Sequence, residues 1–185
     1  ILTDGETIAM VAESIDPADH PDAEVIDASG KYVFPGFIDP HVHIHLPFMG
    51  TNAIDDHASA TKAALAGGTT TVIEMICPGP DDEPLAAFNE WKTLAQAGAC
   101  CDYTFHLAVV RFDDLAKGQL RDLVDSEGVA SFKVFLAYKG ALDISDENLF
   151  ELMTLARELG VIITAHCENA EAIDAMQKRL IAEGK

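Results

Sequence analysis

The chain has 185 residues, 49% of them hydrophobic, enough for one substantial core or for one core and a small piece. It carries 12 Lys+Arg against 31 Asp+Glu, a formal net charge of -19, which argues against nucleic acid or an anionic membrane surface as partner. No apolar run reaches the length of a membrane span, and the first residues do not form a signal peptide. They read Ile1-Leu-Thr-Asp4 without a methionine, so a segment cut from a longer protein is expected. The 4 cysteines, Cys77, Cys100, Cys101 and Cys167, form no Cys-x-x-Cys pair. That pattern predicts a reduced, cytoplasmic protein with small buried or half-buried thiols.

Residues 1–33 hold short apolar pieces, Thr7 to Val11 and Val25 to Asp27, around a polar loop from Asp16 to Asp22. They predict two or three short strands that cannot make a domain alone, part of a small β-sandwich. From residue 34 the pattern changes. An apolar run leads into Phe37-Ile-Asp-Pro-His41-Val-His43. Residues i and i+2 of a strand share a face, so His41 and His43 aim their imidazoles into one space. Leu46 to Thr51 follows as a loop, then a helix from Asp55 to Ala66 that stops at Gly67-Gly68.

Thr69 to Ile76 is β-branched and apolar, a buried strand. Pro84 to Gly98 predicts a helix with Leu85, Phe88, Trp91, Leu94 and Ala95 on one stripe. Asp102 to Val110 is a strand, Asp114 to Glu127 a helix, and Ser131 to Leu136 a strand. Ser145 caps a helix from Asp146 to Leu159, and Gly160 stops it. Val161 to His166 is a strand, and Asn169 to Glu183 a last helix. His106 falls inside a strand as a satisfied core residue, while His20 and His57 are expected at the surface.

Strands alternating with helices predict βα units on a parallel sheet, apolar on both faces. A (β/α)₈ barrel takes roughly 250 residues. Residues 34–185 hold about five units, so the expected fold is α/β, a partial TIM barrel behind part of a small sandwich. A doubly wound open sheet fits the count too, but no Gly-x-Gly-x-x-Gly follows a strand. His41, His43, Lys133 and His166 all lie toward the carboxyl ends of strands, the catalytic face of a barrel. Paired strand-end imidazoles suit a divalent metal. Lys133 interrupts an apolar strand, Phe132-Lys-Val-Phe-Leu136. Burial disfavours the ammonium, and a neutral amine combines with carbon dioxide to a carbamate. Alternatively Lys133 snorkels to the strand end or pairs with an acid such as Glu74.

Asp39-Pro-His41-Val-His43, Leu46-Pro-Phe-Met-Gly-Thr51, Lys62 to Thr70, Phe132-Lys133-Val-Phe-Leu-Ala-Tyr138-Lys-Gly140 and Ala165-His166-Cys-Glu-Asn169 come in this order. The set resembles the cyclic-amide branch of the metal-dependent amidohydrolase superfamily, on its dihydropyrimidinase and hydantoinase side. The resemblance runs from about Val25 to the end of the chain. It implies two divalent metal ions on a (β/α)₈ barrel, with zinc the first expectation; manganese and cobalt suit the same donors. It implies His41 and His43 as ligands of one metal and His166 as a ligand of the other. Lys133, modified to N6-carboxylysine, would bridge them. Tyr138 would hold the substrate carbonyl and steady the oxyanion, and Leu46 and Phe48 would line the space around the substrate's side group. The implied reaction is attack by a metal-bridging hydroxide on the ring amide of a dihydropyrimidine or a 5-substituted hydantoin, giving an N-carbamoyl amino acid. The implied assembly is a homotetramer.

The pattern also implies a histidine on a sixth strand and an aspartate on the last strand, and this sequence holds neither strand. The segment alone is therefore expected to be inactive or nearly so. Dihydroorotases resemble a pattern with arginine soon after His-x-His, and allantoinases one with Asn-Glu-Pro-Gly. Here Ile44-His-Leu-Pro47 follows instead. A dihydropyrimidinase-related scaffold without catalysis is the alternative from another class, but such proteins tend to lose the metal ligands that are present here.

Overall fold

The computed structural model describes residues 1–48 and 50–185, Phe48 through its backbone alone. The chain divides into two units, Ile1–Pro35 and Gly36–Lys185. In the first, β1 (Leu2–Asp4) and β2 (Thr7–Met10) form an antiparallel hairpin, Asp4 opposite Thr7. A short 3₁₀ turn, Pro17–Asp19, follows. Val25 to Asp27, expected as a strand, has no ladder partner and is irregular.

The second unit alternates strands and helices. β3 (Phe37–Val42) is followed by a two-stranded ribbon of β4 (Pro47–Phe48) and β5 (Thr51–Asn52). Then come α1 (His57–Ala66), β6 (Thr69–Ile76), α2 (Pro84–Gly98), β7 (Asp102–Ala108) and α3 (Asp114–Glu127). β8 (Ser131–Phe135), α4 (Asp146–Leu159), β9 (Ile162–His166) and α5 (Ala170–Ala182) complete it. The five long strands form one parallel sheet in the order β3-β6-β7-β8-β9, which is chain order. Consecutive parallel neighbours joined by helices are the (β/α) barrel arrangement, here with five staves. The doubly wound alternative requires a reversal of strand order, and the sheet has none.

The core lies between the outer face of this sheet and the helices. Ile76, Leu107, Phe132 and Val134 of the sheet pack with Trp91 of α2, Leu120 and Leu123 of α3, and Leu152 of α4, all fully or almost fully buried. On α2 the buried stripe is Ala87, Phe88, Trp91 and Ala95, while Leu85 faces out. Local chemistry sets the helix ends. Gly128 and Gly160, both at φ 71°, close α3 and α4 in the left-handed conformation that glycine adopts without strain.

α1 starts with a capping box. The Asp56 carboxylate accepts from the Ser59 amide at 2.7 Å, and the Ser59 hydroxyl accepts from the Asp56 amide at 3.1 Å. Asp56→Ala is expected to cost about 1 kcal/mol, read as a lower urea midpoint at an unchanged denaturant slope.

Candidate metal centre

Strand register decides which side chains meet. Val42 lies opposite Glu74 on β6, and Glu74 opposite Phe105 on β7; these point toward the helices. His41 and His43, one residue either side of Val42, therefore point inward. Their rings stand edge to face with centroids 5.1 Å apart. Ala108 lies opposite Lys133, Lys133 opposite Thr164, and Phe135 opposite His166, so Lys133 and His166 share the inner face too.

Lys133 is 7% exposed. Its Nζ lies 5.2 Å from the centroid of the Phe135 ring, and among the described residues no carboxylate pairs with it. The expected alternative, a pair with Glu74, is excluded by register, because Glu74 is on the outer face and Lys133 on the inner. Partial burial pushes the His41 imidazole below its ordinary value, and the Lys133 charge and His106 push it further. His43 is lowered by burial first and then by His41 and Lys133. Both are thereby held neutral, the form that binds metal.

At the other end of the row, the His166 ring lies 6.0 Å from Phe135 and 5.4 Å from Tyr138. Nε2 of His166 contacts the Glu168 carboxylate. Tyr138 has φ 60°, a left-handed conformation unusual outside glycine, just past the end of β8. Such backbone strain concentrates where a side chain must be aimed. Cys77, at the carboxyl end of β6, has its thiol pushed up to about 12 by burial, with Lys133 opposing. Leu46 is half-buried, and its carbonyl accepts from the Ala53 amide at 2.9 Å. The side chain of Phe48 lies outside the described residues.

Among the described residues, no three His, Cys, Asp or Glu side chains form a metal-holding cluster by themselves. The imidazoles of His41 and His43 stand at one edge of the sheet and that of His166 at the other, with Lys133 on the strand beside His166. Neutral imidazoles on one face of a sheet are donors of the kind a divalent metal takes.

The amidohydrolase family model matches residues 32–185. The chain belongs to the amidohydrolase family. Rattus norvegicus dihydropyrimidinase is 37% identical to this amidohydrolase chain over 185 residues, which is 100% of the chain and 36% of the relative. D-hydantoinase of Geobacillus stearothermophilus is 41% identical over 185 residues, 100% of the chain and 38% of the relative. The chain thus spans well under half the length of these relatives. Among solved structures, a D-hydantoinase from Thermus sp. superposes with a TM-score of 0.85 at 56% identity, over 89% of this chain and 36% of that one. A D-hydantoinase from Bacillus sp. AR9 gives 0.91 at 38% identity, over 99% and 39%.

Two expectations need correction. His57, expected at the surface, is 3% exposed, and its Nε2 lies 2.6 Å from Glu74 Oε2. It opens α1, but α1 lies against β6, and the first turn faces the sheet. The four thiols are not all covered either, since Cys100 and Cys167 are exposed. Glu74 is 1% exposed. The Trp91 indole N–H and the Ile44 amide face its carboxyl without reaching hydrogen-bond geometry to Oε1, which has no partner. Burial pushes Glu74 up to about 8. Burial pushes His57 down, and His45 adds to the shift. The pair is therefore neutral, a carboxylic acid hydrogen-bonded to an imidazole. The sequence signal for it was a single charge, Glu74, inside an otherwise apolar strand.

Proposed function

We propose that this chain supplies part of the active site of a cyclic amidohydrolase that opens a dihydropyrimidine or 5-substituted hydantoin ring to an N-carbamoyl amino acid. The observation that carries the reading is Lys133, buried on the inner face beside His41 and His43 with no acid to neutralise it. Family membership and the dihydropyrimidinase and D-hydantoinase relatives support it.

His41 and His43 would hold one divalent ion and His166 another, zinc being the first choice. Lys133 as N6-carboxylysine would join them. In that modification the neutral amine attacks carbon dioxide, an N–C bond forms, one C=O π bond becomes an oxyanion, and a proton is released. A cation becomes a carboxylate-like anion, which removes the cost of a buried unpaired ammonium. When bound, two such ions supply an ionised water at neutral pH and polarise the ring carbonyl.

The chain's own residues do the rest. Tyr138, aimed by its left-handed backbone, would donate its hydroxyl to the carbonyl oxygen as that oxygen takes up charge. Leu46 and Phe48 would pack on the ring substituent and exclude water. The remaining ligands and the proton shuttle that the resemblance implies belong to later strands that these 185 residues do not include, so the segment alone is proposed to be inactive. The same reading takes the whole protein as a cytoplasmic homotetramer. No helix among the described residues is long and apolar enough to cross a membrane.

Native and denaturing mass spectrometry tests the proposal. The expected result in a protein carrying the whole barrel is two metals and an acid-labile carbon dioxide adduct on Lys133. A whole-barrel protein that binds no metal sinks the hydrolase reading and favours a scaffold.

A further inference from the structure

β3 and β8 are not neighbours in the sheet, yet a side-chain bridge ties them together. His106, buried on the inner face of β7, places Nε2 2.8 Å from the Pro40 carbonyl oxygen and Nδ1 against the Ser131 hydroxyl. Pro40 immediately precedes His41. Ser131 precedes Lys133 by two residues and shares its face of β8. The β3–β6 register shifts between Asp39 and Val42, so Pro40 and His41 sit in a bulge where the ladder is interrupted. There the backbone takes its position from something other than β6.

The roles are set by chemistry. A carbonyl only accepts, so Nε2 carries the proton, and Nδ1 accepts from the Ser131 hydroxyl. With both ring nitrogens engaged, His106 is not itself a ligand, although its ring centroid lies only 6.4 Å from that of His41.

We infer that His106, oriented by Ser131, is a positioning residue: it holds the Pro40 carbonyl and so sets the height and rotation of His41 relative to Lys133. The inference rests on the metal-centre reading above for its consequence, but the bridge itself does not. Groups that orient metal ligands typically change metal affinity by about 10–100-fold when removed.

The test has a metal-free arm and a metal arm. In the metal-free protein, long-range ¹⁵N–¹H spectra are expected to show His106 as the neutral Nε2–H tautomer. His106→Phe keeps a ring but removes both polar atoms, and it is expected to move the His41 imidazole resonances while leaving those of His166 in place. In the metal arm, zinc competition against a chelator is expected to show about a 10–100-fold loss for His106→Phe. His106→Gln, which returns an N–H donor toward Pro40, recovers most of that loss. If His106→Phe does not fold, Ser131→Ala carries both measurements, with smaller changes in the same directions. A His106 found as the Nδ1–H tautomer overturns the inference, as do His41 resonances unmoved by the substitutions. Unchanged zinc affinity in the variants overturns it as well. If the unsubstituted protein binds no zinc, the metal reading fails, and the tautomer and the His41 resonances still decide the bridge.

Discussion

Lys133→Ala, made in a complete eight-stranded enzyme carrying this segment, is expected to lower cyclic-amide hydrolysis by on the order of 10³-fold or more, about 4 kcal/mol of transition-state stabilisation. The protein should stay folded, because in the metal-free, unmodified chain the substitution removes a buried amine that lies 5.2 Å from the centroid of the Phe135 ring and has no carboxylate partner among the described residues. It leaves a cavity, but it also lifts the desolvation cost of an unpaired ammonium. Metal content should fall with activity, since the anion that two cations would share is gone. A small carboxylic acid such as acetate, added to the variant, should restore part of both by occupying the vacated space as a carboxylate. Steady-state kinetics with dihydrouracil and a 5-substituted hydantoin, alongside metal analysis, make the measurement. Full metal content and near-normal turnover in Lys133→Ala would falsify the bridging role and leave Lys133 as a structural residue.

The second large effect is a pH dependence of stability from Glu74 and His57. Between pH 6.5 and about 8 the folded pair holds one proton, on Glu74, whose value is raised from 4.5 to about 8 while that of His57 is lowered from 6.5. Unfolded, the two groups hold two protons below pH 4.5, one between 4.5 and 6.5, and none above 6.5. Stability rises with pH wherever the unfolded state binds more protons. Above pH 6.5 the folded pair keeps a proton that the unfolded chain has lost, so the pair contributes a fall in stability from 6.5 to about 8. The limiting slope is about 1.4 kcal/mol per pH unit, so the fall amounts to about 2 kcal/mol. Urea unfolding at a series of pH values should show it. Glu74→Gln should remove the fall, leaving a contribution that rises to pH 6.5 through His57 and is flat above it. A wild-type curve with no fall between pH 6.5 and pH 8, matched by Glu74→Gln, would mean that the folded pair holds no proton there and that burial does not raise Glu74.

Much of this was legible because the signals were local. Glycines, proline and serine mark the ends of α2, α3 and α4, whose observed limits match the expected ones. Period-2 alternation in His41-Val-His43 already put both imidazoles on one face, and the structure sets their rings 5.1 Å apart. Where the signal was weaker the reading slipped. Val25 to Asp27 is apolar enough for a strand but finds no partner, and a strand needs one to satisfy its backbone.

By itself the sequence determined the order and type of the long elements, the anomalous lysine in an apolar strand, and the His-x-His pair, because each depends on residues close together in the chain. Only the tertiary structure decided what those residues meet. Glu74 looked available to Lys133, yet parallel register turned them to opposite faces of the sheet. His57 looked exposed at a helix start, yet packing against β6 buried it on Glu74. Pro40, His106 and Ser131 are far apart in sequence, and curvature of the sheet brought them into one hydrogen-bonded bridge. Pairings of this kind are set by strand register and by the closure of the sheet, and no short stretch of sequence encodes either one.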